Sequence, residues 1–234
     1  MNVAFNETGV ALFGLGFALG VRHALDPDHL VAVSTIVSRN NSIVRSSFAG
    51  ALWGLGHTAS LLICGTIVLA MRLTIPQDFV VMAESAVAVM LVLLGINALW
   101  RSLKGSRLHV HFHTHDGRRH IHMHIHKAQE TPAHDHRHVF EIGFRSFLVG
   151  MVHGLAGTGA LMIVVVAAAP SFVAGFFYIL VFGFGSVGGM LVLSSLIGIP
   201  FVLSARFFRA LHNGLQFAAA LLSIALGIFW ISSV

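Results

Sequence analysis

The chain has 234 residues, 56% hydrophobic and only 10% charged, with a mean hydropathy of +0.84 and a formal net charge of +5. Soluble domains carry about 25% charged residues, so this composition excludes a soluble globular enzyme. It equally excludes a disordered chain, which needs low hydrophobicity, and the chain belongs in a bilayer.

Met1 to Thr8 contains no Lys or Arg, so the first apolar run lacks the charged leader of a cleaved signal peptide and reads as a retained span. Apolar runs follow at about 9–37 (interrupted), 45–71, 79–100, 143–169, 172–199 and 213–233. Each meets the roughly 20 residues a transmembrane helix needs. The expected fold is therefore all-α, a polytopic membrane protein of six transmembrane helices. It divides into a first helical unit over 1–101, a His-rich loop over 102–141 and a second helical unit over 142–234. The pI near 10.7 suggests nucleic acid in a soluble protein; here the Lys and Arg residues sit at the ends of apolar runs, so they report topology and no nucleic acid is expected. With the N-terminus outside, twelve positive residues fall in inside connectors, among them Arg39, Arg45, Arg101, Arg145, Arg206 and Arg209, and only Arg72 falls outside. The positive-inside rule thus predicts both termini outside and the long loop in the cytoplasm, a multi-pass protein of the cytoplasmic (inner) membrane. The lone Cys64 lies within an apolar run and excludes an intrachain disulfide.

The two halves repeat at an offset of about 130 residues. Phe17 to Leu25 aligns with Phe147 to Leu155, matching Gly20 with Gly150 and His23 with His153; Trp53 aligns with Phe182, and Leu94-Gly-Ile with Leu226-Gly-Ile. Three spans per repeat is an odd number, so the second copy enters from the opposite side, as in many secondary transporters. Both repeats open on a segment poor in helix-forming residues. Gly9 to Val37 would reach about 44 Å as one helix against about 30 Å of hydrocarbon, and Pro27 disfavours helix at Asp26. Gly154 to Gly159 is the corresponding weak point. Paired discontinuous first helices point to a site at the membrane midplane.

The first interruption reads Arg22-His23-Ala24-Leu25-Asp26-Pro27-Asp28-His29, five ionisable groups in eight residues. Such groups are costly in lipid and mark a pathway or binding site; the competing reading is an ordinary loop after a short span. Two imidazoles and two carboxylates form a set suited to Ni(II), Co(II) or Zn(II), and the lack of a thiolate disfavours Cu(I). His57, in the second span, reads as a further ligand, or as hydrogen-bonded packing. Glu84 reads as an outer acceptor or proton site, with Arg22 and His153 as further outer-sphere candidates. No carboxylate follows His153, so the first repeat is expected to supply most ligands.

The segment Arg22 to Leu30 resembles the signature R-H-A-x-D-A-D-H-I of the nickel/cobalt transporter family, and Gly56-His57-Thr58 resembles that family's second Gly-His-Ser/Thr motif. The resemblance implies a permease for Ni(II) and/or Co(II), with His23, Asp26, Asp28, His29 and His57 as motif residues and no permanent cofactor. Pro27 replaces the usual Ala. Six spans and the Gly-Leu-Ala-Gly of the second half look more like the short, urease-associated branch, which implies cytoplasmic nickel chaperones or urease-type maturation as partners beside the metal ion and the bilayer. The efflux branch usually carries Glu-Pro-Gly-His in this motif, so Asp-Pro-Asp-His favours uptake over efflux. An intramembrane metalloenzyme is disfavoured, since no H-E-x-x-H motif occurs.

Eleven of the sixteen histidines fall between His109 and His138. The composition fits a disordered, metal-chelating tract. The alternation of His109, His111, His113 and His115, then Asp116-Gly117, then His120, His122, His124 and His126 fits a hairpin instead, since Asp-Gly between alternating runs is a strong turn signal. A two-residue turn there pairs His113 with His120, His111 with His122 and His109 with His124, all on one face.

Overall fold

The computed structural model describes residues 7–40, 42–73, 75–104, 109–115, 118–124, 143–156 and 171–233. Among these, the helices are α1 (Glu7–His23), α2 (Pro27–Val37), α3 (Ile43–Met71), α4 (Gln77–Lys104), α5 over 143–156, α6 (Phe172–Phe207) and α7 (Arg209–Ser233). One antiparallel hairpin, β1 (His109–His115) and β2 (Arg118–His124), lies between α4 and α5 in sequence. Among the described residues, four helices are long and apolar enough to cross a membrane, namely α3, α4, α6 and α7; α1 and α2 are the two pieces of the interrupted first segment.

The interruption falls where Pro27 requires it. The last turn of α1 tightens into three-residue steps, with Leu25 N donating to Arg22 O at 2.9 Å and Asp26 N to His23 O at 3.1 Å. Asp26 is extended (φ −61°, ψ 146°), as a residue before proline prefers, and Pro27 opens α2 at the helical position where its missing N–H costs nothing. The broken stretch, Ala24 to Asp26, thus sits between the two helix ends that carry His23, Asp28 and His29, with Ala24 buried and Leu25 exposed.

Polarity is inverted relative to a soluble protein. Leu93, Phe184 and Leu222 are among the apolar side chains that point outward, while Ser60, Ser186, Ser194 and Ser223 are buried. Between helices, small residues and hydroxyls accompany a core of bulky side chains such as Trp53, Leu91 and Met190, as is usual where lipid removes the hydrophobic drive for helix association. Ser223 Oγ donates to Leu91 O at 2.7 Å, Thr58 Oγ1 to Gly183 O at 3.2 Å and Ser186 Oγ to Gly20 O at 3.2 Å.

Helix α3 packs mainly on α6, α4 on α7, and α1 on α6. Close approaches come in matched pairs. Gly20 leaves no room for a Cβ against Phe182 O, and Gly150 none against Trp53 O; Gly185 meets Phe17 O, and Gly56 meets Phe147 O. Further out, Gly95 abuts Ala220 O and Gly227 abuts Ala88 O. At the offset of about 130 that aligns the halves, each contact is the partner of another with the two repeats exchanged.

Several helix limits lie beyond the expected apolar runs, and α4, for one, spans Gln77–Lys104. Helix α6 runs through Pro200 to Phe207, eight residues beyond the expected stop, because Pro200 removes one backbone donor without turning the chain. Helix α7 begins at Arg209, not 213, and His212 N already donates to Phe208 O at 2.9 Å. The hairpin has the register expected of an Asp-Gly turn: His109 pairs with His124, His111 with His122 and His113 with His120. Asp116, Gly117, His126 and the far part of the second interruption lie outside the described residues.

Candidate metal centre

His23 ends α1, Asp28 and His29 lie in the first turn of α2, His57 comes from the middle of α3 and His153 from α5. The break lets two short helix ends point into the bundle, where continuous helices on either side meet them. Two groups of ligand atoms result: one from His23, His29 and His57, the other from Asp28, His29 and His153, each with its atoms within 4.8 Å of one another. His29 belongs to both. His29, His57 and His153 are at most 2% exposed.

Carboxylates fix three of the four rings. His23 Nδ1–H donates to Asp26 Oδ2 at 2.7 Å, His29 Nδ1–H to Asp28 Oδ1 at 3.0 Å, and His153 Nε2–H to Asp28 Oδ2 at 2.7 Å. A carboxylate on one ring nitrogen sets the tautomer and leaves the other with a lone pair for a metal. Accordingly, His29 Nε2 and His153 Nδ1 are buried with no hydrogen-bond partner, as is His57 Nδ1. His23 Nε2 lies 3.2 Å from His57 Nε2. With metal–nitrogen bonds of about 2.0–2.1 Å, two ligands of one tetrahedral ion stand about 3.3 Å apart, so this separation fits a shared ion. Burying a divalent cation is costly unless charge compensates it, and Asp26 and Asp28 place two carboxylates beside the imidazoles.

Residues 9–233 match the family of the high-affinity nickel-transport protein, NicO. The chain belongs to this family. It is a nickel/cobalt permease and not an enzyme. It is 38% identical to the urease accessory protein UreH of Bacillus sp. (strain TB-90), over 94% of this chain and 90% of that protein. It is also 28% and 27% identical to the chloroplast proteins FOR GROWTH AND FERTILITY 2 and 1 of Arabidopsis thaliana, over 91% of this chain and about half of each plant protein, 54% and 56%. No solved structure matches it.

The motif residues of the permease fall into distinct places. His23, Asp28, His29 and His57 converge, and Asp26 stands behind His23, half exposed. His153, expected as an outer-sphere residue, sits in the cluster as closely as any motif histidine. Arg22 is exposed, and Glu84 is half-buried on α4; neither belongs to the ligand groups. Trp53 was not singled out as a site residue: its ring centroid lies 5.1 Å from that of His29 and 5.4 Å from that of His153. Its repeat mate Phe182 lies 5.5 Å from His23, the mate of His153. That correspondence was available from the alignment of Trp53 with Phe182, but an aromatic in an apolar helix carries no ligand signal of its own.

Proposed function

We propose that this permease imports Ni(II) or Co(II) across the cytoplasmic membrane, with the ion passing through the imidazole cluster at the α1–α2 break. The observation that carries this reading is the convergence of three histidines from three helices on one point, two of them backed by carboxylates. His23, His29 and His57 take the ion first. Asp28, His29 and His153 form an adjoining station, and His29, common to both, passes the ion between them. Two weak, overlapping stations suit conduction, which requires binding loose enough for release.

The wider architecture we propose is six transmembrane helices in two inverted repeats, with α1–α2, α3 and α4 answering α5, α6 and α7. The reciprocal glycine contacts support it, because exchange of the two repeats maps each contact onto another. Twelve inside positive residues against one support external termini and a cytoplasmic loop over 102–141. The His-rich hairpin then captures or buffers the ion after it crosses, and similarity to a urease accessory protein supports delivery to urease-type maturation, with or without nickel chaperones. The Asp-Pro-Asp-His form of the motif supports uptake. Deletion of the gene should lower cellular nickel under limiting supply, and its return should restore it; a rise in cellular nickel on deletion would reverse the direction.

A further inference from the structure

A cavity of about 510 Å3, lined by none of the metal-cluster residues, opens at the arginine-rich end of the bundle. It is lined by the ends of four helices: α2 and the residues after it, the last turns of α4, the start of α5 and the first turns of α7. Arg39, Arg101 and Arg145 all line it, together with Asn40 and Asn97, and among the described residues no Asp or Glu lines it. Burial, and then the nearby Arg101 guanidinium, lower the Arg39 pKa from its ordinary value. Asn40 is only 8% exposed, and its Nδ2, a donor, has no hydrogen-bond partner.

Three cations with no lining carboxylate repel a divalent metal, so this cavity is not a station of the transported ion. We propose instead that it binds the phosphate group of an organic anion, with the guanidinium forks of Arg39, Arg101 and Arg145 and the Asn40 amide as donors. Guanidinium matches phosphate oxygens two at a time, and a buried unpaired amide donor gains its missing acceptor. The volume falls in the roughly 300–1,000 Å3 range of organic-ligand sites. Ile36, Leu94 and Val149 add an apolar wall that free orthophosphate would leave uncovered. Basic pockets between transmembrane helices at the cytoplasmic face hold anionic lipid headgroups; a soluble phosphate ester offers the same chemistry.

The test needs no nickel, so it stands apart from the transport reading. Purified full-length protein in neutral detergent is titrated with dioctanoyl phosphatidylglycerol, with glycerol 3-phosphate and with dioctanoyl phosphatidylcholine, followed by thermal unfolding and native mass spectrometry. One phosphatidylglycerol or one glycerol 3-phosphate should bind and raise the Tm, the first outcome assigning the lipid and the second the soluble ester, while phosphatidylcholine should do neither. Arg101→Gln and Asn40→Asp should weaken binding at least about tenfold, and Arg45→Gln, outside the cavity, should not. Should those variants fail to fold, a photoactivatable phosphatidylglycerol on the unaltered protein should label α2, α4 or α5 at this cavity. No binding of either anion, equal affinity in folded Arg101→Gln and Asn40→Asp, or labelling confined elsewhere would overturn the assignment.

Discussion

His153 Nε2 lies 2.7 Å from Asp28 Oδ2, so an imidazole from the second half of the chain holds a carboxylate from the first, 125 residues away. The same carboxylate holds His29 through its other oxygen at 3.0 Å. Asp28 thereby links the first half of the chain to the second at the imidazole cluster through which we propose the ion passes. Removing either partner should disturb the other, and a double-mutant cycle reads this directly. Asp28→Asn and His153→Ala should each weaken nickel affinity, and the double variant should be no worse than the poorer single one, a coupling of about 0.5–3 kcal/mol. Strict additivity would separate His153 from the site.

Asp26 touches His23 and stays half exposed, and the part we propose for it is to orient that ring. Asp26→Asn should reduce nickel affinity by about 10–100-fold, the usual cost of losing a carboxylate behind a ligating histidine, while transport at saturating metal survives. Isothermal titration beside uptake assays would separate this from loss of a direct ligand, which abolishes both.

The matched glycines make a symmetric prediction. Gly20→Ala and Gly150→Ala each push a methyl group into a backbone carbonyl of the neighbouring helix, and overpacking of this kind costs about 1–3 kcal/mol. Both variants should lower the thermal midpoint in detergent by similar amounts. Gly14→Ala, where nothing lies within 4 Å, should leave it unchanged.

Much of this was readable before any coordinates. Pro27 announced the helix break, because a missing donor and a constrained preceding residue are local properties. The alternating histidines about Asp116-Gly117 announced the strand register for the same reason. His153 was harder: the carboxylate it meets belongs to the other repeat, and only folding brings the two together. Arg39 lies in one connector, and Arg101 and Arg145 flank the two ends of another, so each alone reports only sidedness; the cavity they share is a tertiary property. The apolar run ending at 199 understates α6, since a proline, here Pro200, can sit within a long helix when the bundle around it tolerates one lost hydrogen bond.

The His-rich tract can be separated from the pore. Deleting residues 108–138 should remove most bulk nickel binding, measured by equilibrium dialysis, yet leave uptake at high external nickel largely intact. Replacing Asp116-Gly117 with Pro-Pro should weaken tract affinity with every histidine retained, because the strands could no longer pair in register. Unchanged affinity would describe the tract as a chelator without fixed pairing.

Sidedness follows from single cysteines in a Cys64→Ala background. Position 72 should react with an impermeant thiol reagent added outside intact cells, and positions 45 and 206 only after permeabilisation. External labelling at 206 would break the six-helix, inverted-repeat arrangement.

The most direct measurement is X-ray absorption at the nickel edge on protein lacking residues 108–138, loaded with one equivalent of Ni(II), set beside uptake into proteoliposomes. The cluster of His23, His29 and His57 predicts a site with about three imidazoles per nickel, and His57→Ala should lose one of them together with saturable uptake. If His29→Ala and His57→Ala both keep the parent's nickel spectrum and transport rate, the ion does not pass through these imidazoles.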